Sequence, residues 1–531
     1  AARSAASYIR TALAPIPLET TPVGDVELPA IEVLGTTFRP AHRVHVDDPD
    51  LVARFGPSPN RSTARPHRED APLRAGEARP TDGPTGKALL FMAHYDTVPG
   101  APGAIDDGAS VAVLLELARE LHAHPPAQPV MIAFTADEEG GLVGAEALAA
   151  RHGDEVELAI ALDMIGGSGP LSLNGASKRI GLVEMTWLAR AADRAGVRIT
   201  APIPHRVVSR WWPQAERADH GVFTRRGIRA FHLYNRGQDG LWIDTAYHSP
   251  RDVFDRVDRA SLDEMSRLAR ELVAVPPPPP DGDGFWLPLA TNVVVPRWCL
   301  LAGDLALALL SLLGLGALAL SGRAAGRERG AGIWLALLCF AVAGTAAAFA
   351  NHPIDLDPTR ISLAAIAREI AATSLIVLGV LGLATRLIAR RLPWIGAGRY
   401  LGLAILPLLV LGLALFAVGA GELAWIWLAP AAILAIAPRL PRFLAPLAVL
   451  FALLPAALVL RPNQLLEVAW NGFFPPGVPL AIWIAALVGP ALAAIAWWWR
   501  SRPTRGPLGT LVLPVGCGLS VMLGLMLEFA R

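Results

Sequence analysis

From Leu300 to the C-terminus, apolar runs near the roughly 20 residues that cross a bilayer as a helix recur between short arginine-bearing breaks. That pattern excludes a purely soluble or disordered chain. It also accounts for a composition that is 53% hydrophobic and 18% charged, where an ordinary soluble enzyme carries roughly a quarter charged residues. Eight spans are read, at 300–320, 333–350, 364–388, 400–420, 423–437, 443–460, 478–499 and 508–529. The fifth is short and bounded by Pro430 and Pro438, so it can merge with a neighbour or re-enter.

Charge divides the chain at the same place. Residues 300–531 hold 16 Arg and 8 Asp or Glu, a net of +8, while the first 299 hold 31 basic and 38 acidic residues, a net of −7. Eleven of the 12 histidines lie in the acidic part, with His352 alone beyond it. In the apolar half, arginines gather in alternate loops: Arg323, Arg327 and Arg329; Arg386, Arg390, Arg391 and Arg399; Arg439 and Arg442; Arg500, Arg502 and Arg505. The other loops and the terminus hold Arg360, Arg461 and Arg531. The positive-inside bias puts the 12 arginines in the cytoplasm and the acidic half outside it. Residues 1–16 contain no export segment, so one is expected ahead of Ala1. Asp304, Arg368, Glu369, Glu422, Glu467 and Glu528 stand near span ends and are read as interfacial charges rather than an ion route. Lys87 and Lys178 are the only lysines, a coding bias that points to a bacterial genome rich in G and C.

Cysteine offers the acidic half nothing, because Cys299, Cys339 and Cys517 all lie in or beside apolar runs. A metal there must use histidine and carboxylate. Nucleic-acid binding gets no support, since that half is acidic and lacks a basic stripe with interleaved aromatics.

The acidic half alternates strand-like and helix-like segments: 88–93 reads as a buried strand, 108–122 as an amphipathic helix, 129–135 and 158–163 as further strands. The expected fold class is α/β, a mixed and mostly parallel sheet flanked by helices, followed by an all-α polytopic transmembrane bundle. We divide the chain into an ectodomain over 1–275 with a mobile insertion at 58–86, a proline-rich linker and juxtamembrane segment over 276–298, and about eight helices over 299–531.

Polar residues gather where those strands end. His94-Tyr-Asp96 follows the first strand and Asp106-Asp107-Gly opens the helix. Asp137-Glu138-Glu139-Gly follows the second strand, Asp163 closes the third, and Tyr247-His248-Ser comes late. Ligands of open α/β sheets bind beyond the carboxyl ends of strands. Five nitrogen and oxygen donors from five such ends can hold two zinc ions with one shared carboxylate. Asp96, two residues beyond His94, is placed to fix the tautomer of that ring, and Asp252 to orient the loop carrying His248. Each motif has a plainer reading alone: HxD as a surface pair, Glu138-Glu139 as a solvated helix start, Asp106-Asp107-Gly as a turn and cap. His232, on an apolar strand-like stretch, reads as a core residue.

AHYDTVPGAPGAIDDGASVAVLLELAREL, FTADEEGGLVGAEAL, ALDMIG, ADHGVF and YHSPRD resemble the successive motifs of metallopeptidase family 28, the co-catalytic zinc aminopeptidases. The likeness covers roughly residues 1–273, and the whole arrangement resembles the family's membrane-bound branch of endoplasmic-reticulum and vacuolar peptidases. It implies a membrane-anchored aminopeptidase with two zinc ions, acting on peptide or protein substrates through a metal-bridged hydroxide. Asp106 is then the bridging ligand, His94 and Asp163 complete one site, and Glu139 and His248 the other. Glu138 is the implied general base and Tyr247 an oxyanion stabiliser. Asp219 and His220 match an Asp-His pair that holds second-sphere or substrate contacts. Ile105 departs from the Asn or Gly usual before the bridging Asp and leaves the ligands intact. A sister zinc peptidase family fits less well, because 85 residues between Asp163 and His248 are tight for its lid domain. Glutaminyl cyclisation on the same fold, and a receptor or transporter with a relic peptidase domain, remain the alternatives. Substrate preference is expected from loops such as 203–218.

Overall fold

Strands rise here wherever both faces of an extended segment are apolar. The computed structural model describes residues 2–28, 31–33, 36–39, 42–57, 86–177, 180–201, 216–237, 246–281, 284–287, 290–321, 397–417, 421, 424–441 and 444. The insertion expected at 58–86, apart from Gly86, and the span readings at 333–388 and 443–529, apart from Leu444, lie outside these residues. So does most of the loop 203–218.

Helix α1 (Ala2–Ala12) precedes β1 (Leu18–Thr21). Two small antiparallel pairs follow, β2 (Gly24–Leu28) with β5 (His42–Val46) and, between them, β3 (Ile31–Val33) with β4 (Thr36–Arg39). The chain continues through β6 (Asp50–Phe55), β7 (Ala88–His94), α2 (Ala109–Ala123), β8 (Val130–Thr135), α3 (Val143–His152) and β9 (Val156–Leu162). Then come β10 (Leu171–Ala176), α4 (Leu182–Ala195), β11 (Ile199–Thr200), α5 (His220–Arg225), β12 (Arg229–Asn235) and α6 (Arg259–Ala274). The four elements expected over 88–163 match β7, α2, β8 and β9 to within two residues.

Eight strands form one sheet in the order β1-β6-β8-β7-β9-β12-β10-β11. Strands β8, β7, β9 and β12 run parallel at its centre, and β1, β6 and β10 pair antiparallel toward the edges. All seven residues of β7 are buried. Because side chains alternate across a strand, Leu89 and Phe91 serve one layer and Leu90 and Met92 the other. The first layer holds Leu114, Leu117, Leu188, Leu268 and Leu272 from α2, α4 and α6. The second holds Leu148, Val222 and Phe223 from α3 and α5. Helices on both faces of a largely parallel sheet leave only its ends open for chemistry.

The segment read as a linker at 276–298 is bound down instead. The Trp187 indole N–H donates to the Val275 carbonyl at 3.0 Å, Arg229 Nη1 to the Pro278 carbonyl at 2.8 Å, and Leu182 N–H to the Asp281 carbonyl at 3.1 Å. Proline lacks an N–H, but its carbonyl remains an acceptor, so a proline run can be held this way. The hairpin of β13 (Gly284–Trp286) and β14 (Val294–Pro296) then buries Phe285 and Trp286. Unit 1 of the chain accordingly runs from Ala1 to Pro296.

Unit 2 runs from Arg297 to Arg531. Its described helices are α7 (Arg297–Ser321), α8 (Ala397–Ala417) and α9 (Trp425–Ile436). Among the described residues one helix, over Arg297–Ala317, is long and apolar enough to cross a membrane. The fifth expected span appears as α9, whose 12 residues rise only about 18 Å. Asp304, expected at an interface, is buried within this unit, as is Ser311.

Candidate functional site

The carboxyl ends of the parallel strands deliver the polar residues to one place. His94 ends β7, Asp163 follows β9, Glu138 and Glu139 follow β8, and Asp106 lies in the turn before α2. Two sets of donors converge, His94 with Asp106 and Asp163, and Asp106 with Glu139 and His248. Within each set the ligand atoms lie within 4.8 Å of one another. Asp106 serves both: its Oδ1 is 3.2 Å from His94 Nε2 and its Oδ2 is 3.3 Å from His248 Nε2. His248 Nε2 is also 3.0 Å from Glu139 Oε2, yet makes no hydrogen bond, and Glu139 Oε1 is likewise unpaired among the described residues. Buried nitrogen and oxygen atoms aimed at a shared point without bonding each other fit a cation of the borderline-hard kind, such as zinc.

Backbone N–H groups held by buried carboxylates build this geometry. Asp96 Oδ1 and Oδ2 accept from Glu138 N–H and Glu139 N–H, each at 3.1 Å. Asp252 accepts from Ile105 N–H at 2.7 Å and Asp106 N–H at 3.1 Å. Asp107 accepts from His94 N–H at 3.2 Å and Met164 N–H at 3.0 Å, tying the ends of β7 and β9 together. Its cap reading fails, because α2 begins at Ala109 with Gly108 at its N-cap and no side-chain cap. The His94 ring meets Asp96 through the main chain: Nδ1 lies 3.1 Å from the Asp96 carbonyl and 3.5 Å from Oδ1. Asp252 likewise reaches beyond its own loop to the segment bearing Asp106.

Asp137, Met164 and His248 take positive φ angles of 53°, 58° and 51°. Each such residue costs about 1–3 kcal/mol and marks a place where the surroundings dictate the backbone. Under the site, Asp50 Oδ1 accepts from Ala136 N–H at 2.9 Å. A Cβ on Gly144 would strike that oxygen, so the helix α3 must carry glycine there.

Electrostatics follow from burial and crowding. Burial draws the His94 imidazole down, but Asp106 and Asp96 outweigh it and hold it well above its ordinary value. His248 is opposed by burial in the same way and raised to about 9 by Asp106 and Glu139. Burial acts against Asp106, which His248 and His94 nonetheless hold well below the carboxylate range. Burial and then Asp106 push Asp163 up to about 7. Burial raises Glu138 well above its ordinary value despite His94, with Asp163, Asp219 and Glu139 adding to the rise.

Tyr247 stacks on His248, ring centroids 3.6 Å apart and planes at 19°, and packs against Ile105, Met164 and Tyr234. Asp219 lies beneath, accepting from Thr135 Oγ1 at 2.5 Å, and burial raises it to about 6. His220 is fully buried and stacks on His232. Sequence reasoning missed the tying role of Asp107, although the doubled Asp was visible, and missed Asp50, which carried no motif, and Thr135, which stands in FTADEEGGLVGAEAL without an assigned role.

The profile of peptidase family M28 matches residues 76–273. Aminopeptidase YwaD of Bacillus subtilis is 28% identical over 197 residues, which are 35% of this chain and 40% of that protein. A vacuolar membrane protease of Clavispora lusitaniae is 29% identical over 178 residues, 32% of this chain and 15% of the relative. The chain thus spans less than half the length of either. The structure of a zinc aminopeptidase from Bacillus subtilis aligns at 19% identity and a TM-score of 0.33, over 45% of this chain and 52% of that one. Residues 76–273, which hold all five convergent donors, are a peptidase family M28 domain.

Proposed function

We propose that the chain is a membrane-anchored, extracytoplasmic aminopeptidase that uses two zinc ions. The observation that carries this reading is the pair of donor sets sharing Asp106. His94 and Asp163 would hold one ion with Asp106 Oδ1 nearby, and Glu139 and His248 the other with Oδ2 nearby. Zinc bound there supplies Lewis-acid polarisation of the scissile carbonyl and of the attacking water.

The chain's own residues do the rest. The Glu138 carboxylate takes a proton from the attacking water as its oxygen bonds to the carbonyl carbon. Glu138 then returns that proton to the amine nitrogen as the C–N bond breaks. Burial supports this role by raising Glu138 toward the range where it can both accept and give a proton. Tyr247 would donate its phenol O–H to the developing oxyanion, and burial keeps that hydroxyl protonated. Asp96 anchors the main chain that carries Glu138 by accepting its N–H. Outside the site, the alternation of arginines between loops supports a multi-pass apolar half with unit 1 on the side away from the cytoplasm.

The test is hydrolysis of aminoacyl and N-terminal glutaminyl peptides by the purified full chain, with and without chelator, beside Glu138→Gln. Glu138→Gln is expected to lower kcat by about 10²–10⁴ while metal content and KM hold. Undiminished hydrolysis in that variant, or a chain that takes up no metal, overturns the reading. Cyclisation of the glutaminyl peptide in place of cleavage assigns the site to acyl transfer instead.

A further inference from the structure

Two buried histidines outside the donor sets have no part in the chemistry above. His232 is in register with Ala161 on β9 and Gly175 on β10. Alternation along the strand puts Ala230, His232 and Tyr234 on one face, the face on which Ala161 lies and toward which Asp163, two residues on, continues. The ring stacks on His220 at 5.0 Å and 27° and tilts against Tyr234 at 5.6 Å and 31°. Gly175 makes room for this stack, because a Cβ there would strike the His220 ring.

The two nitrogens of His232 face different partners. Nδ1 lies 3.3 Å from Nδ2 of Asn174. An amide NH2 can only donate, so Nδ1 accepts, and the neutral ring carries its proton on Nε2. Nε2 has no hydrogen-bond partner among the described residues, and it points at Asp163 Oδ2 from 3.7 Å. The other oxygen of that carboxylate, Oδ1, is the one that faces His94 Nε2, at 3.9 Å.

We infer that His232 is a positioning residue for Asp163: it donates Nε2–H to Oδ2, reserves Oδ1 as the single ligating oxygen, and owes its tautomer to Asn174. A rotation of the carboxylate that closes 3.7 Å to about 2.9 Å satisfies a buried donor that would otherwise stay unpaired. A ligand held by a hydrogen bond to its second oxygen keeps its orientation without the ion, which is how outer partners raise metal affinity.

The inference rests on the metal-site reading, and one experiment separates the two. Zinc is titrated calorimetrically into chelator-treated full chain carrying His232→Phe, His232→Gln, Asn174→Asp or Asn174→Leu, with thermal melts alongside. His232→Phe keeps the ring volume but has no donor, and is expected to weaken one of the two zinc sites by about 10–100-fold. His232→Gln restores an N–H and is expected to recover most of that loss. Asn174→Asp replaces the donor with an acceptor, draws the ring proton to Nδ1 and turns a lone pair toward Asp163. It should bind zinc more weakly than Asn174→Leu, an order that loss of packing alone does not produce. Should His232→Phe fail to fold, the Asn174 pair, at a half-exposed position, decides the matter. Zinc uptake by the parent chain with His232→Phe binding equally well, or with Asn174→Asp equal to Asn174→Leu, overturns the inference and leaves the metal site standing. No zinc uptake by the parent chain overturns both.

Discussion

At the scale of single residues, three carboxylates, Asp96, Asp107 and Asp252, hold backbone N–H groups of the segments that carry the donors. Asp252 is the clearest case, because its carboxylate accepts from the N–H groups of two consecutive peptides, those of Ile105 and Asp106. Asp252→Ala leaves both donors buried and unpaired, at about 1–3 kcal/mol each. A fall in melting temperature together with weaker zinc binding is therefore expected, and a variant that melts and binds like the parent would sink this account. Asp50 makes a prediction in pH. Burial raises it to about 8 in the folded chain, against the stabilising Ala136 N–H, whereas unfolded Asp titrates near roughly 3.9. Below about pH 4 both states hold the proton. As pH rises toward 8 the unfolded state releases it first, so stability falls across that window and levels off above it. Asp50→Asn keeps the acceptor for Ala136, removes this slope, and should gain melting temperature over the parent at pH 8 more than at pH 5. Equal differences at both pH values would contradict the assignment. Residue chemistry of this kind was partly legible: the five donors and Glu138 stand in motifs, whereas Asp50 and Asn174 stand in none and meet the site only through strand pairing.

At the scale of elements, the sheet follows from strands apolar on both faces, so β7, β8 and β9 could be read from their runs alone. The region after α6 could not, because a proline run looks the same whether it spans solvent or lies along a domain. What decides it is a set of specific acceptors, Val275, Pro278 and Asp281, and the burial of Trp286 behind them. Arg229, which also binds Glu184 at 2.6 Å and Glu157, ties this strap to β12. Trp286→Ala is expected to cost about 3–5 kcal/mol, or roughly 10 °C in the melting of unit 1. A change within about 2 °C would mean the hairpin is not part of the core.

At the scale of the whole molecule, the proposed topology rests on the alternation of arginines between the loops of the apolar half, and it can be tested loop by loop. Reporter fusions within 323–329 and 386–399 are expected to report cytoplasm, and fusions within 351–360 the opposite side. Alkaline carbonate should leave the chain in the membrane pellet and detergent should release it. Reporters of one sign at all three loops would refute the multi-pass reading. Sequence by itself determined the segregation of charge and apolarity, the α/β alternation and the identities of the donors, because each is written in local composition and period. Tertiary structure alone decided which oxygen of Asp106 faces which histidine, that Asp107 and Asp252 tie separate strand ends, and that His232 looks at Asp163. Those relations join residues from a dozen to more than a hundred positions apart, and only the folded chain brings them within reach of a hydrogen bond.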